Sequence, residues 1–268
     1  MQVSRYIAQL EAQGILYFTI HEAVKSLKIS KEKLYQRLYH FKKKRIIVSP
    51  VQGLYVIVPI QHRAIGCMPP EELIVIVMKY LKVPFYAGLL TAAAYHGATH
   101  QRLRVFQVVS SKRFFRDIII GDVWIEFIYK KDITSVAVAK KEMHAGYLPI
   151  STPEETAKDV MRFYKKCGGL NHQATVLAEL TKAINPQKLI FLARKSDSIV
   201  WVQRMGYMLE VIETFYEKER DSLVAALAKF LAHQQPKYAP LAREIATKGK
   251  PRNRKWKIIE NATIESDI

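Results

Sequence analysis

Apolar residues in the first 45 positions recur at helical spacing in three short segments. A first helix ends at Gly14, and a second, centred on Val24, follows after a short gap. In the third, Leu34, Leu38 and Phe41 fall at i, i+4 and i+7 and form one buried face. The pattern predicts three amphipathic helices, the third of which begins at a serine N-cap.

Two β-rich runs at 45–48 and 53–58 follow, and turn residues at 49–52 connect them as a hairpin. Three helices and a hairpin are the plan of a winged helix-turn-helix, whose third helix enters the major groove. Polar side chains on the third helix point away from its apolar face. The expected DNA contacts are Ser30, Lys31, Lys33, Gln36, Arg37, His40, Lys42, Lys43, Lys44, Arg45 and Gln52. A solvated helix face, or a module that docks another protein, would show the same pattern.

The rest of the chain predicts a mixed α/β domain in which helices predominate. Residues 59–69 form a linker with proline at both ends, and Thr152 to Glu155 forms a capping box. Helices are predicted at 70–81, 89–95, 152–166, 171–183, 186–193, 199–216 and 220–232. Strands are predicted at 105–109 and 256–259, and a hairpin with a two-residue Gly-Asp loop at 118–128. We therefore expect an α+β protein with a winged helix-turn-helix domain at 1–62, a helix-rich α/β domain at 63–235 and a basic extension at 236–268 that packs on or extends the second domain.

The charge distribution makes nucleic acid the favoured partner. The formal net charge is +18, and it is concentrated at the two ends of the 268 residues. Residues 1–62 hold ten Lys and Arg against three Glu, and residues 236–257 hold eight against one. Cations surround a tryptophan in the tail, which suits phosphate contact with base stacking and predicts a second basic patch at Lys248, Lys250, Arg252, Arg254 and Lys255. A solvated terminal extension is the alternative.

Several classes of protein are excluded by the sequence. The longest apolar run is too short for a membrane span, and the N-terminus has no secretory signal pattern. Cys67 and Cys167 are far apart, which excludes a disulfide framework and a CxxC motif and favours buried thiols. These features predict a cytoplasmic protein with no membrane association.

No catalytic constellation can be assembled from the motifs. His96 and His100 have the spacing of zinc ligands, but Gly97 lies between them and a polar contact at the helix end is favoured. Asp117, Asp122 and Glu126 are the only carboxylates that suit a metal-dependent nuclease, and no lysine is correctly spaced. We expect no catalytic residues, no metal site, no cofactor and no enzymatic activity.

A series of sequence motifs follows in order over most of the chain: GLYVIVP (53–59), HRAIG (62–66), PFYAGLLTAAAYHGATHQ (84–101), VFQVVSSK (105–112), IEFIYKK (125–131), GYLPISTPEETAKDVMRF (146–163), GGLNHQATVLAEL (168–180), WVQRMGYMLE (201–210) and KGKPRNRKWKIIENATIESDI (248–268). In this order the motifs resemble the AbiEi-type antitoxins of bacterial AbiE, or type IV, toxin–antitoxin systems.

This resemblance implies an autorepressor that binds inverted repeats in its own operator through the N-terminal module. It also implies a second domain that counteracts a nucleotidyltransferase-like toxin encoded nearby, without a stable complex, in abortive infection against phage. The segments at 84–112 and 146–163 are where antitoxicity is expected. Two other classes stay open at this point: a metal-dependent nuclease, and a one-component transcriptional regulator whose second domain binds a small ligand.

Overall fold

The chain folds into two compact units. A computed structural model describes residues 3–99 and 103–264. Among these, the first unit comprises 3–87, 104–135 and 140–150, and the second comprises the rest. The N-terminal module therefore belongs to the same compact unit as a later part of the chain. The proposed boundary after residue 62, as the limit of an independently folding domain, stays a prediction.

The N-terminal module has the element order of a winged helix. Helix α1 (Val3–Ala12) is followed by strand β1 (Tyr17–Thr19), α2 (Ile20–Leu27), α3 (Lys31–Lys43), β2 (Ile47–Val48) and β3 (Leu54–Ile57). The three strands form an antiparallel sheet in the order β1-β3-β2. The three predicted helices and the hairpin are present, whereas the short strand β1 is not apparent from the sequence pattern.

A small aromatic and aliphatic core holds this module together. Phe18 lies between Tyr6, in an edge contact, and Tyr55, in a stacked contact, with both ring centroids 5.5 Å away. Leu34 and Leu38 of α3 are fully buried against it, so the face predicted from their spacing is the packed face. This packing fixes which side of α3 remains exposed.

Local hydrogen bonds set the ends of the helices in this module. Thr19 and Glu22 form a reciprocal capping box at the start of α2, with distances of 3.2 and 2.7 Å. Lys28 adopts a left-handed conformation that ends α2, and the Ser30 hydroxyl accepts from the Lys33 backbone N–H at 3.4 Å. The two helices are thereby separated by a tight turn.

A six-stranded sheet provides most of the remaining first unit. Its strands are β4 (Phe85–Ala87), β5 (Phe106–Ser110), β6 (Ile118–Ile120), β7 (Val123–Tyr129), β8 (Val138–Met143) and β9 (Gly146–Ser151), in the order β6-β7-β5-β4-β9-β8. The predicted hairpin at 118–128 turns at Gly121 and Asp122. The β5–β7 and β4–β9 pairs are parallel, so the sheet is mixed. Helix α4 (Pro70–Leu81), which is buried as its apolar sequence predicts, packs against β7.

The second unit is largely helical. It contains α5 (Leu89–Tyr95), α6 (Pro153–Arg162), α7 (Leu170–Leu180), α8 (Pro186–Arg194), α9 (Val200–Val211) and α10 (Glu217–Ala232). Helix α5 packs on α6, and α9 packs on α10. The helix predicted at 152–166 instead ends at Arg162, because Phe163 leaves the helical conformation and a 3-10 turn (Tyr164–Cys167) follows. The helix predicted at 199–216 ends at Val211, where Ile212 is extended.

The C-terminal extension forms a three-stranded sheet in the second unit. Strands β10 (Ala239–Pro240), β11 (Arg252–Asn253) and β12 (Ile258–Ile259) lie in the order β10-β12-β11. The strand predicted at 256–259 is shorter, because Trp256 lies in a turn and is fully buried. The extension is therefore anchored to the unit by a core residue.

The observed fold class is α+β, as predicted. Within residues 3–99 and 103–264, no helix is long and apolar enough to cross a membrane. Both cysteines are fully buried, and burial raises the pKa of the Cys67 thiol to about 12. This agrees with the interpretation of Cys67 and Cys167 as small apolar core residues.

Candidate nucleic-acid interface

Helix α3 presents a polar face on the side opposite its buried leucines. All of the predicted contact residues in the module are exposed: Ser30, Lys31, Lys33, Gln36, Arg37, His40, Lys42, Lys43, Lys44, Arg45 and Gln52. Glu32 in the first turn is the acidic exception, and hydrogen bonds from its own backbone N–H and from Ser30 lower the pKa of its carboxyl. The face combines cations and amides that can reach phosphates and base edges.

A stripe of alternating cations and aromatic rings runs along this face. Lys31, Tyr35, Tyr39 and Lys43 follow one another at intervals of four residues, and both tyrosines are exposed. The Lys43 ammonium lies 4.9 Å from the centre of the Tyr39 ring, and that of Lys31 lies 5.8 Å from Tyr35. The two tyrosines were not among the expected contact residues, although their i, i+4 spacing from the lysines is visible in the sequence.

The basic end of α3 has a structural contact as well as an exposed charge. Arg45 adopts a left-handed backbone with φ of 54°, and its guanidinium donates to the Ala64 carbonyl at 3.1 Å. Lys42, Lys43 and Lys44 are exposed beside it. The Arg45 side chain therefore helps to position the end of the recognition-type helix as well as adding positive charge.

The hairpin that follows α3 is short, and its turn is contacted by a side chain of α4. The Tyr80 hydroxyl donates to the backbone carbonyl of Gln52 at 3.1 Å. Gly53 has φ of 82°, and a Cβ there would lie 2.8 Å from the Tyr80 hydroxyl. The side chain of Gln52 remains exposed at the tip. The turn of the hairpin is thus anchored to Tyr80, and the side-chain amide of Gln52 is exposed.

The predicted second patch is exposed, but its aromatic component is not. Lys248, Lys250, Arg252, Arg254 and Lys255 all have exposed side chains. Trp256, which was expected to stack on bases, is instead buried against Gly206, and its ring N–H donates to Glu210 at 2.5 Å. Lys255 forms an ion pair with the same carboxylate. The stacking interpretation is wrong because the indole is a core residue.

Residues 86–211 match a sequence model of a known family, described as the AbiEi antitoxin C-terminal domain. This segment is similar in sequence to that antitoxin domain, and residues 86–211 are called the AbiEi domain below. The match starts in β4 and ends with α9, and it includes most of the sequence motifs that carried the resemblance. Antitoxicity is expected in the segments 84–112 and 146–163. The AbiEi domain contains both of them, except for residues 84 and 85.

The fold is also similar to that of a solved structure. The RV2827C protein from Mycobacterium tuberculosis superposes with a TM-score of 0.64 at 15% sequence identity. The match covers 96% of this chain and 90% of that chain. The likeness therefore concerns the fold of nearly the whole chain. No functionally curated protein matches the sequence.

The carboxylates of the AbiEi domain that were considered for a nuclease have structural partners. Asp117 accepts from the Trp124 ring N–H at 3.0 Å, and Glu126 accepts from Gln107 at 3.0 Å. Lys130 is buried and donates to the Tyr86 hydroxyl. Asp122 lies in the hairpin turn. Across the part of the chain that the structure describes, no cluster of His, Cys, Asp or Glu side chains is suited to a metal ion.

His96 of the AbiEi domain has a polar contact at the end of α5, as expected. Its ring Nε2 lies 2.7 Å from the carbonyl oxygen of Ser151. The other candidate zinc ligand, His100, lies outside the described residues. The Ser151 hydroxyl in turn pairs with Thr156 at 2.7 Å, so the ends of α5 and α6 share one buried hydrogen-bond network.

Proposed function

We propose that this chain is the antitoxin of a type IV toxin–antitoxin system and the repressor of its own operon. The match of residues 86–211 to the AbiEi antitoxin family is the observation that supports the antitoxin role. The toxin would be a nucleotidyltransferase-like protein encoded nearby, counteracted in the cytoplasm without a stable complex. Defence against phage by abortive infection is the expected setting.

We further propose that repression is exerted by the N-terminal module at inverted repeats. The support comes from the exposed cations and amides of α3, which the buried pair Leu34 and Leu38 orients outward. Inverted repeats require two modules, either in a dimer or in paired monomers on DNA.

A growth and reporter experiment separates the two activities. The neighbouring gene would be induced alone, with this chain, and with a triple variant carrying Lys33→Ala, Arg37→Ala and Lys43→Ala. We expect both forms to restore growth, because the three exposed side chains lie outside the AbiEi domain. Only the unaltered chain should repress a promoter fusion. The antitoxin proposal would be wrong if the product of the neighbouring gene does not inhibit growth, or if the unaltered chain fails to restore growth.

Single substitutions test the assignment of α3. Arg37→Ala should weaken operator binding by about 1–3 kcal/mol and reduce the preference for operator over random DNA. Lys44→Ala is the matched loss of one exposed charge. It should weaken binding to operator and to random DNA about equally, because a phosphate contact carries no sequence information. Fluorescence anisotropy on the two duplexes measures this. Equal losses on both DNAs for Arg37→Ala would show that α3 does not read bases.

A further inference from the structure

A concave pocket in the second unit collects positive charge around one carboxylate. Its volume is about 410 Å³, and its lining residues are Arg162, Phe163, Tyr164, Lys165, Lys166, Arg243 and Glu244. Four of these seven side chains are cationic. The lining comes from two segments, the end of α6 with the 3-10 turn that follows it, and the loop after β10. The pocket therefore lies wholly within the second unit.

The loop that carries Arg243 and Glu244 is held in place by buried side chains. Asn261 donates to the carbonyls of Ala242 and Ile245, both at 2.7 Å, and accepts from the Ala242 N–H at 3.0 Å. Arg204 donates twice to the Pro240 carbonyl, at 2.7 and 3.0 Å. The pocket is therefore preorganised, so a ligand need not order this wall.

Glu244 already occupies the place of an anion in this pocket. Its carboxylate accepts a hydrogen bond from the Tyr164 hydroxyl and lies 3.9 Å from the Lys165 ammonium. The Tyr164 bond is the main cause of the lowered pKa of Glu244. The donors around Glu244 are thus arranged for a negatively charged oxygen acceptor.

A buried guanidinium adds positive charge close to the lining residues Tyr164, Arg243 and Glu244. Arg204 is only 4% exposed, and burial together with the nearby Arg243 lowers its pKa to about 10. A guanidinium that is both desolvated and close to a second guanidinium favours an added anion. Phe163 lines the same pocket and is half-buried, which provides an aromatic face beside the cations.

We propose that this pocket binds a nucleotide, whose phosphate replaces the Glu244 carboxylate at Tyr164 and Lys165 and also contacts Arg243, and whose base lies against Phe163. The volume is within the range of small-molecule sites. Arginine and lysine together with a neutral hydroxyl are suitable donors for phosphate oxygens, and base–aromatic contact adds affinity without base-specific hydrogen bonds. This site is independent of the proposed operator contacts of α3.

Titration calorimetry of the full chain tests the proposal, with ATP and inorganic phosphate as separate probes at constant ionic strength. We expect one site per chain, with ATP bound more tightly than phosphate. Arg243→Gln and Lys165→Gln should each weaken ATP binding about tenfold, the loss of one charge-assisted hydrogen bond. Lys248→Gln removes the same charge outside the pocket and serves as the matched control. If all three variants reduce ATP affinity equally, the attraction between ATP and the protein is nonspecific and the proposed site is wrong.

Glu244→Gln provides the decisive variant, because it keeps an acceptor for Tyr164 and removes the competing charge. We expect several-fold tighter binding of both probes in this variant. If Glu244→Gln binds ATP and phosphate with unchanged or lower affinity, phosphate does not replace the Glu244 carboxylate. Equal affinity for phosphate and ATP in the unaltered chain, or no loss of ATP affinity in Phe163→Leu, would overturn the nucleotide assignment. Circular dichroism confirms that each variant is folded.

Discussion

At the residue scale, the C-terminal extension is fixed by a few side chains of α9. Gln203 donates to three carbonyls of the extension, those of Lys237, Trp256 and Lys257, at 2.9 to 3.2 Å. The Trp256 ring lies directly over Gly206, where a Cβ would overlap its atoms. Glycine at 206 is therefore required by close packing and not by backbone conformation, because it lies inside a regular helix.

A double-mutant cycle tests this contact. Gly206→Ala should destabilise the protein by about 1–3 kcal/mol, since the added methyl group overpacks the Trp256 ring. Trp256→Ala removes the ring and should cost about 3–5 kcal/mol. In that background, Gly206→Ala should become stabilising by up to about 1 kcal/mol, because alanine is the better helix former. Urea unfolding measures all four proteins, and additive effects would show that the two residues do not interact.

The hydrogen bond between Tyr164 and Glu244 predicts a pH-dependent contribution to stability. Burial and then this bond raise the pKa of Tyr164 to about 12, and the bond lowers the pKa of Glu244. The hydrogen bond therefore contributes fully to the unfolding free energy between pH 4.5 and pH 10.0, which are the ordinary pKa values of glutamate and tyrosine. It is lost as the pH falls through the lowered Glu244 pKa or rises through about 12.

We expect Tyr164→Phe to be less stable than the unaltered protein at neutral pH. The difference in unfolding free energy should shrink as the pH falls through the lowered pKa of Glu244. Urea unfolding between pH 3 and 8 follows this difference, and the exposed Tyr35→Phe is the control. A difference that stays constant down to pH 3 would mean that loss of the Tyr164 hydroxyl disturbs packing alone.

At the scale of single elements, the capping box of α2 can be tested without touching the proposed DNA face. Thr19→Ala removes the hydroxyl that accepts from the Glu22 N–H and should cost about 1 kcal/mol of unfolding free energy. Ser26→Ala, at an exposed position in the same helix, should change stability by less than about 0.5 kcal/mol. Similar losses for both variants would indicate that the cap contributes nothing specific.

Elements with strong periodicity or clear caps could be predicted from the sequence. Helix α4 has the predicted limits, Pro70 and Leu81, because Pro at N1 and an all-apolar run both mark it. Strand β8 is not apparent from the sequence because all but its last residue are exposed, and its VAKKEM sequence has no apolar face. Strands β1 and β4 have three residues each, which is too short for an alternation of apolar and polar side chains to be recognised. They form by pairing with strands that are distant in the sequence, β3 for β1 and β5 and β9 for β4.

The candidate sites were predictable to different degrees. The exposed face of α3 follows from the spacing of Leu34 and Leu38, and every residue expected on it is exposed. The burial of Trp256 is not apparent from the sequence because it depends on Gly206, fifty residues earlier, whereas the composition of the tail favours base stacking. The cationic pocket was not foreseen, since Lys165 and Arg243 are brought together only by the tertiary fold.

At the scale of the whole molecule, the net charge of +18 predicts a strong salt dependence of DNA binding. If about 6–8 phosphates are neutralised per site, log K should fall against log salt with a slope of about −5 to −7. A Lys248→Gln, Lys250→Gln double variant tests whether the second basic patch contributes, because loss of two phosphate contacts reduces the slope by about 2. Titrations in about 50 to 200 mM salt measure it. An unchanged slope would place the patch away from DNA.

The non-sequential composition of the first unit has a consequence for synthesis on the ribosome. The core of the N-terminal module is complete once Ile57 has emerged, whereas β4 gains its neighbour β9 only after residue 151. At about 5–20 residues per second, the module precedes the finished sheet by several seconds. During that interval the nascent chain carries a finished winged-helix core next to an unfinished sheet. Chaperone demand should therefore be concentrated on chains that are between about 90 and 150 residues long.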